Sequence, residues 1–246
     1  MRPLMRPVGI LGGMGPEATI LLMQKCMAAV TRGATMSQTA TSPLDDADHI
    51  PLIVHQNPQV PSRIAHLIDR RGEDPAPVLA RMARDLKAAG AQALAMPCNT
   101  AHHYAKAIRA ATDLPFLDMV AATAEHLARA GVKHPAMLAS PALRLTGVFD
   151  AALAAQGLTP LWLRDDAPLL GLIRDVKSGH PPAALAPRMA AIASTALTLG
   201  ADHLLVACTE LSLLTDALPA TAPWTDSLDC LTKQITAFAR APVSSC

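Results

Sequence analysis

The tightest constraint on how this chain can fold is a pattern that occurs twice. Ala91–Met96 and His203–Ala207 are apolar, strand-like runs, and each leads to a cysteine. The first lies in Met96-Pro97-Cys98-Asn99-Thr100-Ala101-His102, the second in Val206-Ala207-Cys208-Thr209-Glu210-Leu211. Residues able to cap a helix follow at once, Asn99 and Thr100 in one stretch and Thr209 in the other, and helical periodicity comes next. Each cysteine is therefore expected where a strand feeds a helix N-terminus. In parallel α/β sheets that is the crevice where ligands bind. The positive end of the helix, with its free N–H groups, is expected to favour thiolate over thiol.

Other elements repeat around this pair. Val8–Leu11 reads as a buried first strand, and Gly12-Gly13-Met14-Gly15-Pro16 as a glycine-rich turn opening a helix to about Val30, with Pro16 at its first position. Pro135–Pro141 occupies the same place in the second half. Leu114-Pro115-Phe116-Leu117-Asp118 is paralleled by Ala222-Pro223-Trp224-Thr225-Asp226. The offset is 110 between the cysteines and 108 between the aspartates. Between these landmarks the periodicity predicts a strand at Pro51–Val54, a loop through 33–41, and helices at Ile64–Arg71, from Pro75 or Pro77 to Gly90, and Asn99–Ala111. Beyond them it predicts a helix at Thr146–Gln156, a strand at Leu158–Leu163, and helices at Leu169–Ser178 and Pro187–Gly200. The order points to two like α/β lobes facing each other.

Composition removes several function classes. At 51% hydrophobic and 17% charged residues over 246 positions, the chain can bury a sizeable core. A net charge of +1 and six aromatic residues argue against nucleic-acid binding, which relies on basic patches and stacking rings. No apolar run approaches the roughly 20 residues of a membrane span. Met1–Pro7 lacks the apolar core of a signal peptide, so a cytoplasmic location is expected. Five cysteines without framework spacing imply free thiols. Cys26 and Cys230 fall in helical patterns and Cys246 is the last residue, so these three read as bystanders.

Two cofactor readings are weighed and set aside. Gly13, Gly15 and Ala18 fit a loose G-x-G-x-x-A, but a dinucleotide site needs an acidic residue about 20 positions on, and 33–41 has none. The turn is better suited to bringing backbone N–H groups to a small anion. His102 and His103 follow Cys98 by four and five positions, but structural zinc wants four ligands at recognisable spacing, so no metal is expected. Arg63, at the end of the loop His55–Arg63, has the planar fork that suits a carboxylate.

A matched cysteine pair facing one ligand suits inversion at a carbon. One thiolate takes the α-proton from one face and the opposite thiol returns a proton to the other. A thiol pKa of about 8.5 can be tuned for both roles. With the α-carbon roughly 3–3.5 Å from each sulfur, the sulfurs should lie on the order of 7 Å apart, too far for a disulfide.

At these residues the chain resembles the aspartate/glutamate racemase superfamily of cofactor-independent racemases, nearly end to end. The resemblance is carried by Gly9–Pro16, Asn57–Arg63, Pro97–His102 and Cys208-Thr209-Glu210. It is nearer to aspartate racemases, since glutamate racemases have Cys-Thr-His at the second cysteine. The resemblance implies two pseudo-symmetric three-layer α/β lobes with parallel sheets and the active site in the cleft. The N-terminal lobe, 1–115 plus 224–246, would carry Cys98, and the C-terminal lobe, 116–223, would carry Cys208. It implies Cys98 and Cys208 as catalytic base and acid, and Arg63 and Lys177 as contacts for an acidic amino acid, most simply aspartate. Met14, Asn99 and Thr100 would line the α-carboxylate site, with Thr209 and Glu210 beside the second thiol. No cofactor is implied, and a homodimer is. Racemases of glutamate or hydantoins, maleate isomerases and a silent acidic-amino-acid binder are the alternatives. Three departures from the family's usual pattern bear on the substrate: Ser140-Pro141-Ala142 in place of Thr-Gly-Thr, Ala207 in place of a glycine, and His55-Gln56 before Asn57.

Overall fold

The computed structural model describes residues 5–36 and 44–242. Cys246 and most of the expected loop at 33–41 lie outside them. In chain order the elements are β1 (Val8–Gly12), α1 (Pro16–Met36), β2 (Leu52–Gln56), α2 (Arg63–Leu67), α3 (Ala76–Ala88), β3 (Ala93–Ala95), α4 (Ala105–Ala111), β4 (Phe116–Leu117) and α5 (Met119–Arg129). Then come β5 (Pro135–Leu138), α6 (Pro141–Thr146), α7 (Asp150–Ala155), α8 (Ala167–Lys177), α9 (Pro182–Leu197), β6 (His203–Val206), β7 (Trp224–Asp226) and α10 (Ser227–Arg240).

The strands form two sheets. One has the order β2-β1-β3-β4, the other β5-β6-β7, and every pairing is parallel. In the first, Val8 stands opposite Leu52 on one side and Ala93 on the other. Parallel strands buried on both faces need near-continuous apolar runs, and β1, β3, β5 and β6 are buried along their whole length.

Alternation along each strand divides its residues between two helix layers. On the first sheet, Leu11, Leu94 and Met96 pack with Met82 and Leu86 of α3, while Val8, Ile10 and Ala95 pack with Leu22 of α1 and Leu231 and Ile235 of α10. On the second, Leu138, Leu204 and Val206 meet Leu172 of α8 and Met189 of α9, while Met137 and Leu205 meet Leu127 of α5 and Phe149 and Leu153 around α7. Fully burying each such side chain stabilises the fold by roughly 1.5–3 kcal/mol. Among the described residues no helix is long and apolar enough to cross a membrane.

Two strands lie at the expected lobe boundaries. Phe116–Leu117 pairs with β3, so the first sheet extends past 115. Trp224–Asp226 pairs with β6, so the second sheet extends past 223. Only α10 returns to the first sheet.

Local departures have local causes. α1 continues through Gly33 to Met36, beyond the expected end near Val30. The helix expected over 146–156 is broken at Gly147, whose φ of 61° closes α6. Leu158–Leu163 runs beside β5 but makes a single bridge, Ala136 to Leu161: Thr159 N bonds Lys133 O, but the return bond to Thr159 O would have to come from Pro135, which has no N–H. Thr100–Tyr104 and Leu211–Ala217 are 3-10 turns, so neither cysteine leads straight into an α-helix.

Candidate active site

A cavity of about 370 Å³ opens where strands of both sheets end. Gly13, Met14, Gly15 and Glu17 follow β1, Cys98 and Thr100 follow β3, Ser140 follows β5, and Cys208 and Glu210 follow β6. Arg63 enters from the start of α2, and Ile173 and Lys177 from α8. Placement beyond the carboxyl ends of parallel strands is the usual ligand position of α/β sheets. Cys98 and Cys208 are free thiols, each 6% exposed.

The first wall depends on Gly13. Its φ is 94°, and a Cβ there would lie 2.4 Å from the backbone carbonyl carbon of Asn57, so no side chain fits. Its N–H donates to Thr19 Oγ1 at 2.9 Å. That donor is therefore not free for an anion. The carbonyl of Met14 instead accepts from Arg63 Nη2 at 3.1 Å, and Pro61 O accepts from Arg63 Nη1 at 3.1 Å. Among the described residues no carboxylate pairs with Arg63. Its charge is held in place by neutral carbonyls and left uncommitted.

The second wall is wired differently. The Cys208 thiol donates to Glu210 Oε2 at 3.1 Å, and Glu210 Oε1 accepts a short hydrogen bond from Lys177 Nζ. Gly15 lies against this pair: a Cβ on it would sit 3.8 Å from both Glu210 Oε1 and Lys177 Nζ. Burial, with the Glu210 charge and hydrogen bond, pushes the Cys208 thiol well above its ordinary value. Burial alone would raise Glu210 too, but the Lys177 ammonium and the hydrogen bonds it receives hold it below the usual carboxylate range. Burial works against the Lys177 charge, and Glu210 more than restores it. The expectation that a helix N-terminus makes the thiol acidic thus fails at Cys208: the turn after it is 3-10, and the adjacent charge is negative.

Asn99 and Thr209 do not line the cavity; they brace it. Asn99 Nδ2 donates to Ser227 Oγ at 2.9 Å, and Thr209 Oγ1 donates to Pro97 O at 3.1 Å. The Cys208 loop is thereby tied to the Cys98 loop, and the Cys98 loop to the start of α10. Ala207 does not crowd the second thiol. Its methyl packs with Val120, Met137 and Leu143 on one face of the sheet, while Cys208 joins Leu172 and Leu211 on the other. His55 stands near Asp85 at 3.7 Å, away from the cavity. Cys26 and Cys230 lie in helices away from it, raised by burial to about 12 and about 11.

Glu17 and Ile173 also line the cavity and carried no mark in the sequence, and Ser140, marked there as a departure from the family's pattern, lines it too. An acid in the first turn of a helix reads as a dipole partner, and Ser140 reads as the N-cap it also is, accepting from Ala142 N.

The sequence pattern of the family described as Asp/Glu/Hydantoin racemase matches residues 11–235. The chain is 24% identical over 230 residues to the broad specificity amino-acid racemase RacX of Bacillus subtilis, covering 92% of this chain and 95% of that protein. It superposes on the aspartate racemase of Picrophilus torridus with a TM-score of 0.78 at 25% identity, covering 95% of this chain and 94% of that one. Glutamate racemase from Francisella tularensis shares the fold, with a TM-score of 0.62 at 14% identity over 94% of this chain and 80% of that one. The chain belongs to the Asp/Glu/hydantoin racemase family, and its class of activity is that of an amino-acid racemase.

Proposed function

We propose that this protein inverts the α-carbon of an acidic amino acid, aspartate before others, by proton transfer between two thiols and without a cofactor. One observation carries the reading: two free, shielded cysteines, each beyond the end of a strand in a different parallel sheet, line one cavity beside an uncommitted arginine. We take the two sheets with their helices as two lobes and the cavity as the cleft between them. Inversion needs an acid and a base on opposite sides of the carbon, and two lobes with equivalent loops supply that arrangement.

In this reading Cys208 is the acid of the resting site, because burial and Glu210 keep its proton on sulfur. Cys98 takes the α-proton. Arg63 holds a substrate carboxylate through its planar fork. Lys177 gives one hydrogen bond to Glu210 and offers its remaining N–H donors to a second carboxylate. In a site closed to bulk water these charges also stabilise the carbanion.

A second reading concerns breadth. Lys177 is already neutralised by Glu210, so the cavity offers Arg63 as its uncommitted cation. A second carboxylate on the substrate is then tolerated rather than required, in line with the broad specificity named for RacX.

The test is loss of optical rotation together with α-deuterium uptake in D₂O, over a panel of acidic and neutral amino acids. Cys98→Ser and Cys208→Ser should each slow inversion more than about a hundredfold. Inversion at the wild-type rate in either variant ends the two-thiol reading. Equal rates on aspartate and neutral amino acids replace the first substrate reading with the second.

A further inference from the structure

We propose that Lys177 and Glu210 form a proton relay that reloads Cys208 from solvent between turnovers, a connection that Cys98 lacks. The inference rests on the two-thiol reading. In that reaction each inversion leaves the protein altered. The thiol that gave its proton has become a thiolate, and the group that took the α-proton has become a thiol. Before the same enantiomer can react again, both must return to their starting states.

The two cysteines are equally buried, at 6% exposure per residue, so residue burial does not set them apart. Their partners do. Cys208 Sγ lies 3.1 Å from Glu210 Oε2, and the other oxygen of Glu210 bonds Lys177 Nζ. The Glu210 side chain is 9% exposed, but that of Lys177 is 33% exposed, so the chain of hydrogen bonds runs from the buried sulfur to water. Among the described residues no side chain hydrogen-bonds the sulfur of Cys98.

The protons balance. Once Cys208 has protonated the α-carbon, Glu210 Oε1 takes a proton from the Lys177 ammonium, and the carboxylic acid so formed turns about its Cγ–Cδ bond to give that same proton to the sulfur. Only S–H, O–H and N–H bonds change. The products are a neutral thiol, a carboxylate and a neutral amine, and the amine takes a proton from water. Burial beside a carboxylate gives the Cys208 thiolate the proton affinity to draw on an ammonium. The Cys98 thiol loses its proton to water or buffer through the cavity after product leaves.

Tracer perturbation tests this. An equilibrated mixture of radiolabelled D- and L-aspartate is challenged with a large excess of one unlabelled enantiomer. If reloading is slow, the excess drives the protein into the form that accepts the other enantiomer, and label flows transiently toward the added one. The variants are Glu210→Gln, whose amide does not relay, and Lys177→Arg, which keeps the charge but does not release its proton. Both should show counterflow about tenfold above wild type at the same turnover, and a small-acid buffer such as formate should suppress it. A purely structural role would slow both directions equally and give no counterflow, and that result overturns the relay. So does a wild-type label course in Lys177→Arg, which decides the matter if Glu210→Gln does not fold. A wild-type protein that inverts neither aspartate nor any amino acid of the panel defeats the racemase reading itself, an outcome visible before any variant is made.

Discussion

The loops that follow β3 and β6 have the same backbone plan and different chemistry. Four residues after each cysteine a side chain ties the loop toward the helix beyond the next strand. After Cys98 it is His102, whose Nδ1 donates to Cys98 O at 2.8 Å and whose Nε2 accepts from Met119 N at 3.3 Å. After Cys208 it is Ser212, which donates to Asp226 Oδ1 at 2.9 Å. Aspartates cap both helices: Asp118 accepts from Val120 N and Ala121 N, and Asp226 from Leu228 N. Yet the Asp118 side chain is 26% exposed and bonded to Arg109, whereas that of Asp226 is fully buried with Lys25 at 3.4 Å. The comparison teaches that two loops can match in backbone and differ in what surrounds the sulfur. On the proposed two-thiol reading, equivalent placement would give access to opposite faces of a carbon, and unlike neighbours would let one sulfur hold its proton.

The comparison can be broken most sharply at the turns after β1 and β5. Gly13→Ala forces a Cβ into the Asn57 backbone at a positive φ and should cost about 3 kcal/mol or more. Its counterpart Ser140→Ala loses a helix cap and should cost about 1 kcal/mol. Denaturant unfolding of both would show it, and equal costs would mean the two turns are not under different constraint.

Next in size is a pH effect confined to the second half. Burial pushes Asp226 up to about 6, only partly offset by Lys25 and its hydrogen bonds, from an ordinary value of 3.8. An acid whose folded value is raised binds its proton more tightly in the folded state. The stability this gives is complete below about pH 4 and is lost as pH rises through about 6. Asp226→Asn should remove roughly 2–3 kcal/mol of that pH dependence between pH 4 and 7, measured as unfolding free energy across the range. An unchanged profile would place the titration elsewhere.

The smallest effect sharpens the contrast between the ties. His102→Ala strands the Met119 N–H and the Cys98 carbonyl and should cost about 2 kcal/mol, against about 1 kcal/mol for Ser212→Ala. Burial lowers the His102 pKa, and its two bonds require the neutral ring with the proton on Nδ1. Equal losses would show that the imidazole and the hydroxyl do the same structural job.

Much of this was legible in the sequence. The parallel α/β class followed from apolar runs alternating with amphipathic ones, and the offset of 110 separates His102 from Ser212 as it does the cysteines. Cys98, Cys208, Met14, Arg63, Thr100, Lys177 and Glu210 all border the cavity. Asn99 and Thr209 do not, because a polar residue beside a cysteine looks the same as a wall or as a brace. The partner that makes Asn99 a brace, Ser227, lies 128 residues away. The high proton affinity of Cys208 was illegible for a similar reason: helix-terminus electrostatics can be read from local sequence, whereas burial and the reach of Glu210 are properties of the packed chain. The expected strand at 158–163 shrank to one bridge because of a residue already visible, Pro135 on the neighbouring strand, whose missing N–H matters only once the register of the pair is known.

The return of α10 to the first sheet has a consequence for synthesis. A ribosome makes β1 well before Leu228, Leu231 and Ile235, which cover Val8 and Ile10. The apolar face of the sheet begun first therefore stays open until α10 has emerged. A nascent chain stalled before residue 227 should be a stronger chaperone client than one stalled after α10 has left the ribosome.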